Sequence, residues 1–237
     1  MPAFKMKRAI PFLPAVLLRS PIAAAGQNAA GESFQWGSAL AQSALFLGIQ
    51  HSFRFATEPG TRSEMRGPFL RDYFRSVKGL KGWDDYDPFL VNYVGHPFEG
   101  AVAGYIQVQN DPRFRRVEFG TSRAYWTSRL RAAGFAAVYS ANFEFGPASE
   151  ASLGNVGSTG GKSGAVDLVI TPLGGLGVMV AEDAMDRFVI RRVERATTNP
   201  VYRSLARSFL NPNRSFANAL RFRPPWYRDS RGGVLTR

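Results

Sequence analysis

Stretches with few charged side chains alternate with strongly basic ones along this chain. Residues 33–53 contain no Asp, Glu, Lys or Arg, and about 20 apolar residues suffice for a helix to cross a bilayer. Glutamine and serine side chains dilute the hydrophobicity of this stretch. The pattern predicts one long helix and leaves open whether it spans a membrane or lies in a protein core.

Three further stretches hold very few ionisable side chains: residues 88–110, 132–149 and 163–181. Their apolar residues recur at helical spacing, and the prolines within them must start, end or kink the helices. Small residues also recur every four positions, as at Gly100 and Gly104. Such residues let helix backbones approach closely, in membrane bundles and in soluble ones.

Residues 68–81 combine a basic face with apolar residues at three- and four-residue spacing. This pattern predicts an amphipathic helix. Such a helix is suited to lying on a membrane surface or against a partner. An ordinary surface helix is the alternative.

Together these elements predict an all-α fold, a small bundle of four to five helices over residues 33–186. A loop rich in glycine and serine, residues 153–164, precedes the last of these helices. The Arg-rich residues 187–237 are expected to form an irregular C-terminal tail.

The N-terminal segment is typical of an export signal. Lys5, Lys7 and Arg8 precede an apolar run over residues 9–18, and three alanines at 23–25 offer a cleavage site. We therefore expect a signal peptide over residues 1–25. A disordered N-terminal tail is the alternative, because two prolines interrupt the apolar run.

Composition limits the chemistry of this chain. Its 237 residues carry a formal net charge of +12, and arginine accounts for 25 of the 30 basic side chains. Guanidinium groups pair with phosphates and carboxylates, so anionic partners are expected. The chain has no Cys and only two His. A cysteine nucleophile, a cysteine-based metal site and a site with three histidine ligands are therefore excluded.

One glycine-rich segment, residues 157–163, is superficially similar to a phosphate-binding loop. Its first glycine is one residue too close to the Gly-Lys-Ser, and no strand is predicted before it. We therefore expect a flexible connection, with no nucleotide and no cofactor.

The candidate site consists of five ionisable residues in apolar surroundings: His96, Glu99, Glu144, Glu150 and Asp167. Isolated carboxylates are costly to bury, so they normally face each other, a cation or a polar cavity. A histidine with converging carboxylates is suited to general acid–base catalysis or to binding one divalent cation. The structural alternative is that these groups cap helices, as Asp167 is placed to do, or pair with Arg129, Arg131 or backbone amides.

Arginine alternates with Phe, Trp and Tyr in the expected C-terminal tail. This combination suits the headgroup layer of a membrane, and it also suits RNA. No RNA-binding fold accompanies it. The expected partner is therefore anionic lipid or an envelope protein rather than nucleic acid.

Three short segments carry a family resemblance by their order and spacing: Asn92 with His96, Pro97 and Gly100; residues 143–146; and Asp167 and Leu168 with Thr171, Pro172 and two glycines. Over residues 83–187 the chain resembles an uncharacterised bacterial envelope family, domain of unknown function 3943. The long loop before Asp167 departs from the family's pattern, as does Phe143, where Trp is common. The resemblance implies an exported, envelope-associated protein and no particular activity.

Two functions are compatible with these features. The first is a membrane-associated protein of the bacterial cell envelope, structural or lipid-binding, whose buried polar groups only specify packing. The alternative is a membrane-embedded enzyme acting on a lipid or cell-wall precursor. In that case His96 would be the acid–base catalyst, with Glu144 and Asp167 orienting it or holding a cation.

Overall fold

The computed structural model describes residues 33–57, 68–78, 82–83, 87–153 and 165–234. These residues form helices and connecting turns without a β-strand, so the all-α fold is confirmed. The expected signal peptide lies outside the described residues, and so do residues 154–164 of the glycine- and serine-rich loop.

The described residues contain nine α-helical segments: α1 (Trp36–Thr57), α2 (Phe69–Lys78), α3 (His96–Gln109), α4 (Arg123–Phe145), α5 (Glu150–Leu153), α6 (Val166–Met185), α7 (Arg191–Ala196), α8 (Pro200–Phe209) and α9 (Pro212–Leu220). A π-helical turn over Val91–Gly95 leads directly into α3, and a second one over Asp186–Ile190 joins α6 to α7. Six of the segments have ten or more residues, one more than the expected four to five. The additional helix is α8.

Helix α3 is the centre of the fold. All of its residues except Phe98 are buried, because α1, α4, α6 and α9 surround it. Pro97 occupies the first turn of α3, where backbone N–H groups have no partner within the helix, so the N–H that proline lacks is not needed. The core is built from small and branched side chains of α3 that pack against residues such as Ala132, Ala136 and Met179.

Helices α3 and α6 touch backbone to backbone at their glycines. A methyl group on Gly175 would lie 2.5 Å from the carbonyl carbon of Gly100, and one on Gly100 would overlap the Thr171 carbonyl group. At Gly104 the sulfur of Met179 fills the space that a side chain would need. The small-residue spacing in the sequence therefore marks the helix crossing that brings the start of α6 next to the start of α3.

The Arg-rich segment after residue 187 is folded onto the bundle, so the expectation of an irregular tail is wrong. It forms α7, α8 and α9, and both Arg207 and Arg228 are buried. Its arginines pair with carboxylates at and beyond the C-terminal end of α6: Arg207 with Glu194, Arg214 with Asp183, and Arg228 and Arg231 with Asp186. Buried charges require such partners, and these pairs give the segment its defined structure.

Candidate functional site

His96 lies between two carboxylates at the start of α3. Its Nδ1 is 3.3 Å from Oε2 of Glu99, one turn along the same helix, and its Nε2 is 3.1 Å from Oδ1 of Asp167 in the first turn of α6. All three side chains are buried. The close crossing of α3 and α6 at their glycines brings Asp167, which is distant in sequence, to the imidazole ring.

The geometry around His96 limits what this cluster can do. A ring flanked by carboxylates at both nitrogens can hold or pass a proton. The two nitrogens point away from each other, so Glu99 and Asp167 lie on opposite sides of the ring and cannot share one cation with it. Across the described part of the chain, no group of three or more His, Asp or Glu side chains is arranged to hold a metal ion.

The other two candidate residues lie on α4 and α5. Glu150 opens α5 and forms an ion pair with Arg54 of α1. Glu144 is half-buried near the C-terminal end of α4, and the ion pairs of His96 within the described residues are with Glu99 and Asp167. The structure therefore brings together three of the five candidate residues.

The structural alternative was that the candidate residues cap helices or pair with Arg129 or Arg131. The observed contacts differ from it in two respects. Asp167 does not cap α6: the N-cap position is Ala165, and the Asp167 carboxylate faces His96 instead. Arg129 pairs with Asp183, and Arg131 lies 3.9 Å from Asp111, so neither of these ion pairs involves the candidate site.

An apolar cleft of about 740 Å³ lies between α1 and α4, and no pattern in the sequence indicates it. Its walls are largely aliphatic and aromatic, with Trp36, Leu40, Leu47, Phe135, Val138 and Tyr139 among them. The volume is within the range of ligand-binding pockets in proteins. Trp36, Leu40 and Val138 are more than half exposed, so the cleft is open to its surroundings.

Amide hydrogen bonds fix the wall that α1 contributes to this cleft. The Gln42 side-chain oxygen accepts hydrogen bonds from Gln109 Nε2 at 2.6 Å and from Asn110 Nδ2 at 3.1 Å. Gln109 also donates to the Ala217 carbonyl oxygen in α9. These buried bonds hold α1 against the end of α3, so the apolar face of α1 is preorganised rather than collapsed onto α4.

The charged part of the cleft lining is one cluster. Arg113 donates two hydrogen bonds of 2.8 Å to the buried Asp111 carboxylate, and Arg131 lies 3.9 Å from it. Burial alone would raise the pKa of Asp111, but the hydrogen bonds from Arg113 outweigh burial and lower it. The cluster therefore carries two positive charges and one negative charge. Both guanidinium groups are partly exposed, at 40% and 49%.

Two polar atoms of the cleft residues make no hydrogen bond to the described residues. They are the Ser43 hydroxyl and the side-chain oxygen of Gln107, which is itself 5% exposed. An unpaired buried polar atom is unfavourable. Both unpaired atoms belong to residues of the cleft lining.

One helix of the described residues is long and apolar enough to cross a membrane, the continuous helix over Val166–Ala196. The core helix of a soluble protein can meet the same criteria of length and composition. However, only 33% of the most apolar window of this helix is buried inside the fold. Helix α1, for which the sequence left a membrane span open, does not meet these criteria.

Comparisons with family models, with curated proteins and with solved structures give no match to this chain.

Proposed function

We propose that this chain is a membrane-associated protein of the bacterial cell envelope that binds an anionic lipid in the cleft between α1 and α4. The cleft itself carries the proposal, because it joins a long apolar surface to a cluster with one surplus positive charge. An acyl chain matches the apolar walls, and an anionic headgroup complements Arg113 and Arg131.

Exposed apolar side chains elsewhere support the association with a membrane. Phe89 and Leu90, which precede the π-helical turn before α3, are each more than 60% exposed. Leu173 within α6 and Leu70 on the amphipathic helix α2 are also more than 60% exposed. Soluble monomers rarely expose large contiguous apolar patches. The resemblance to domain of unknown function 3943 supports the envelope location, and we propose membership of that family on the same grounds.

Trp36 makes lipid binding directly measurable. A lipid with brominated acyl chains quenches the fluorescence of a tryptophan that it contacts. The full chain, purified in detergent, is titrated with brominated phosphatidylglycerol and with brominated phosphatidylcholine. We expect saturable quenching that is stronger for the anionic lipid. Because Trp36 lines the cleft, loss of this quenching in a Trp36→Phe variant would assign the lipid to the cleft.

Two pairs of variants locate the binding. Gly134 lines the cleft and Gly48 does not, yet a Cβ at either position meets no atom within 4 Å. Gly134→Leu should weaken binding at least about tenfold by filling the cleft, and Gly48→Leu should leave it unchanged. Arg131→Gln should weaken binding of the anionic lipid about threefold, against no change in the exposed control Arg123→Gln. Equal effects within either pair would contradict the proposal.

The second candidate function is a membrane-embedded enzyme, and the position of His96 between Glu99 and Asp167 favours it. None of these three residues lines the apolar cleft, so such an enzyme would need a different route for its substrate. A His96→Gln variant that folds and binds lipid normally, but fails to complement a deletion of the gene, would favour catalysis. Normal complementation would favour a packing role.

A further inference from the structure

A small polar cavity shares no lining residue with the apolar cleft, so a ligand bound in it would be additional to the proposed lipid. It encloses about 40 Å³ between the C-terminal ends of α3 and α6 and the segment around α9. One water needs roughly 10–15 Å³ of such space, so the cavity has room for about three water-sized groups. We call it the arginine cavity, because Arg129, Arg187, Arg214 and Arg228 are among its lining residues.

Positive charge exceeds negative charge around this cavity. Seven arginines and four carboxylates line it. Asp183 is shared between two of the guanidinium groups, those of Arg129 and Arg214. Arg187 donates to a neutral backbone carbonyl, that of Phe119, rather than to a carboxylate. The lining therefore holds three more guanidinium groups than carboxylates.

Arg129 is the most constrained of these arginines. Its side chain is fully buried, its Nε donates to Asp183 at 2.6 Å, and its Nη1 donates to the Ser128 hydroxyl at 2.9 Å. The guanidinium plane lies over the Tyr125 ring, 4.8 Å from its centre. With these contacts fixed, Nη2 is buried and has no hydrogen-bond partner among the described residues.

Arg228 is a second buried arginine of the same lining. Burial lowers its pKa to about 10, and the neighbouring charge of Arg214 lowers it in the same direction. A guanidinium is more stable when an anion lies nearby. An anion in the cavity would therefore raise this pKa again.

We propose that the arginine cavity binds a phosphate group, either as free inorganic phosphate or as the monoester headgroup of a phospholipid such as phosphatidic acid. A phosphoryl group supplies several acceptor oxygens in a small volume, and arginine guanidinium groups bind such oxygens with charge-assisted hydrogen bonds. Nη2 of Arg129 is an unpaired donor on a residue of the lining, and the excess of arginines over carboxylates provides the attraction.

Two arms of one experiment distinguish the two sources. In the first arm, the full chain is titrated with inorganic phosphate at constant ionic strength, and heat of binding and thermal midpoint are measured. In the second arm, binding to phosphatidylcholine vesicles is measured with and without phosphatidic acid. Phosphate binding in the first arm identifies a free anion, whereas binding confined to vesicles with phosphatidic acid identifies a lipid headgroup.

Three variants assign the binding to this cavity. Arg129→Lys keeps a positive charge beside Asp183 but removes the Nη2 donor, and we expect it to weaken binding about tenfold or more. Arg187→Gln removes an exposed charge from the lining and should weaken binding about threefold. Arg192→Gln makes the same charge change on an exposed residue of α7 outside the lining, and it should have no effect.

The outcomes are decisive in both directions. Binding in either arm that falls in Arg129→Lys and Arg187→Gln, but not in Arg192→Gln, supports the proposal. Absence of binding in both arms overturns it, and so does binding that all three variants leave unchanged. Arg129→Lys keeps a positive charge beside Asp183, so we expect it to fold. Its thermal midpoint without phosphate checks this. If it is unfolded, the comparison of Arg187→Gln with Arg192→Gln decides alone.

Discussion

Two glycines of α6 provide a matched test of the closest helix contact in the fold. Gly175 faces α3, whereas Gly177 is exposed and a Cβ on it would meet no atom within 4 Å. Alanine favours a helix over glycine by about 1 kcal/mol. Gly177→Ala should therefore stabilise the protein, and Gly175→Ala would do the same if the helix crossing did not oppose it.

The close contact between α3 and α6 strongly opposes stabilisation by Gly175→Ala. A Cβ on Gly175 would lie 2.5, 2.7 and 2.8 Å from three backbone atoms of Gly100 and Ala101, where ordinary contact begins at 3.4 Å. Backbone atoms cannot rotate aside, so α3 and α6 would separate by roughly 0.6–0.9 Å and lose a quarter to a half of the dispersion energy there. Overpacking typically costs about 1–3 kcal/mol, and a clash with backbone atoms lies at the upper end of this range. After the gain in helix propensity, we expect a net loss of about 2 kcal/mol.

Thermal unfolding followed by circular dichroism measures both variants under identical conditions. In a protein of this size, 1 kcal/mol corresponds to roughly 2–4 °C in Tm. Gly177→Ala should raise Tm by about 2–4 °C, and Gly175→Ala should lower it by about 4–8 °C. If Gly175→Ala were as stable as Gly177→Ala, the two helices would not be in backbone contact and the placement of Asp167 beside His96 would lose its support.

Two further predictions concern buried charge. Burial lowers the pKa of His51 despite a hydrogen bond to the Ala148 carbonyl oxygen. Below about pH 6.5 the His51 side chain is therefore protonated more readily in the unfolded chain than in the folded chain. The His51 contribution to stability should therefore fall as the pH drops from 7 to 5. Chemical unfolding across this range should show that the free energy of unfolding depends less on pH in His51→Gln than in the unsubstituted chain. The same pH dependence in both would contradict this prediction. Asp183→Ala removes the carboxylate shared by two arginines and should reduce the free energy of unfolding by about 3–5 kcal/mol. Glu118→Ala, which removes a partly exposed pair, should cost less than about 1 kcal/mol in the same assay, and equal losses would refute the reasoning.

The helices were predictable from the sequence because their signals are local. Apolar spacing predicted helices over residues 88–110, 132–149 and 163–181, and helices α3, α4 and α6 occupy most of these stretches. Helix α4 begins earlier than its weakly polar stretch because Ser122 caps it by accepting a hydrogen bond from the Tyr125 backbone N–H. Such caps depend on residues three positions apart, so they are readable from the sequence in principle.

The candidate site was predictable only as a set of unusual residues. His96 and Glu99 are three positions apart on a helix, so their proximity follows from helical geometry. The position of Asp167 depends on where α6 crosses α3, and Glu150 pairs with Arg54, almost a hundred positions away. The cleft between α1 and α4 depends entirely on how these helices are placed, and no pattern within either helix encodes it.

The helical elements, the excess of arginine and the small-residue positions where helices can meet are readable along the chain. The partner of each charge depends on how the helices pack. Counted along the chain, the C-terminal arginines are a surplus that points to an external anion. In the fold, Asp183, Asp186 and Glu194 pair with four of them, Arg207, Arg214, Arg228 and Arg231, because burying a guanidinium requires a carboxylate beside it. Helix formation depends on the local spacing of residues, whereas the ion pairs depend on how segments distant in sequence pack together.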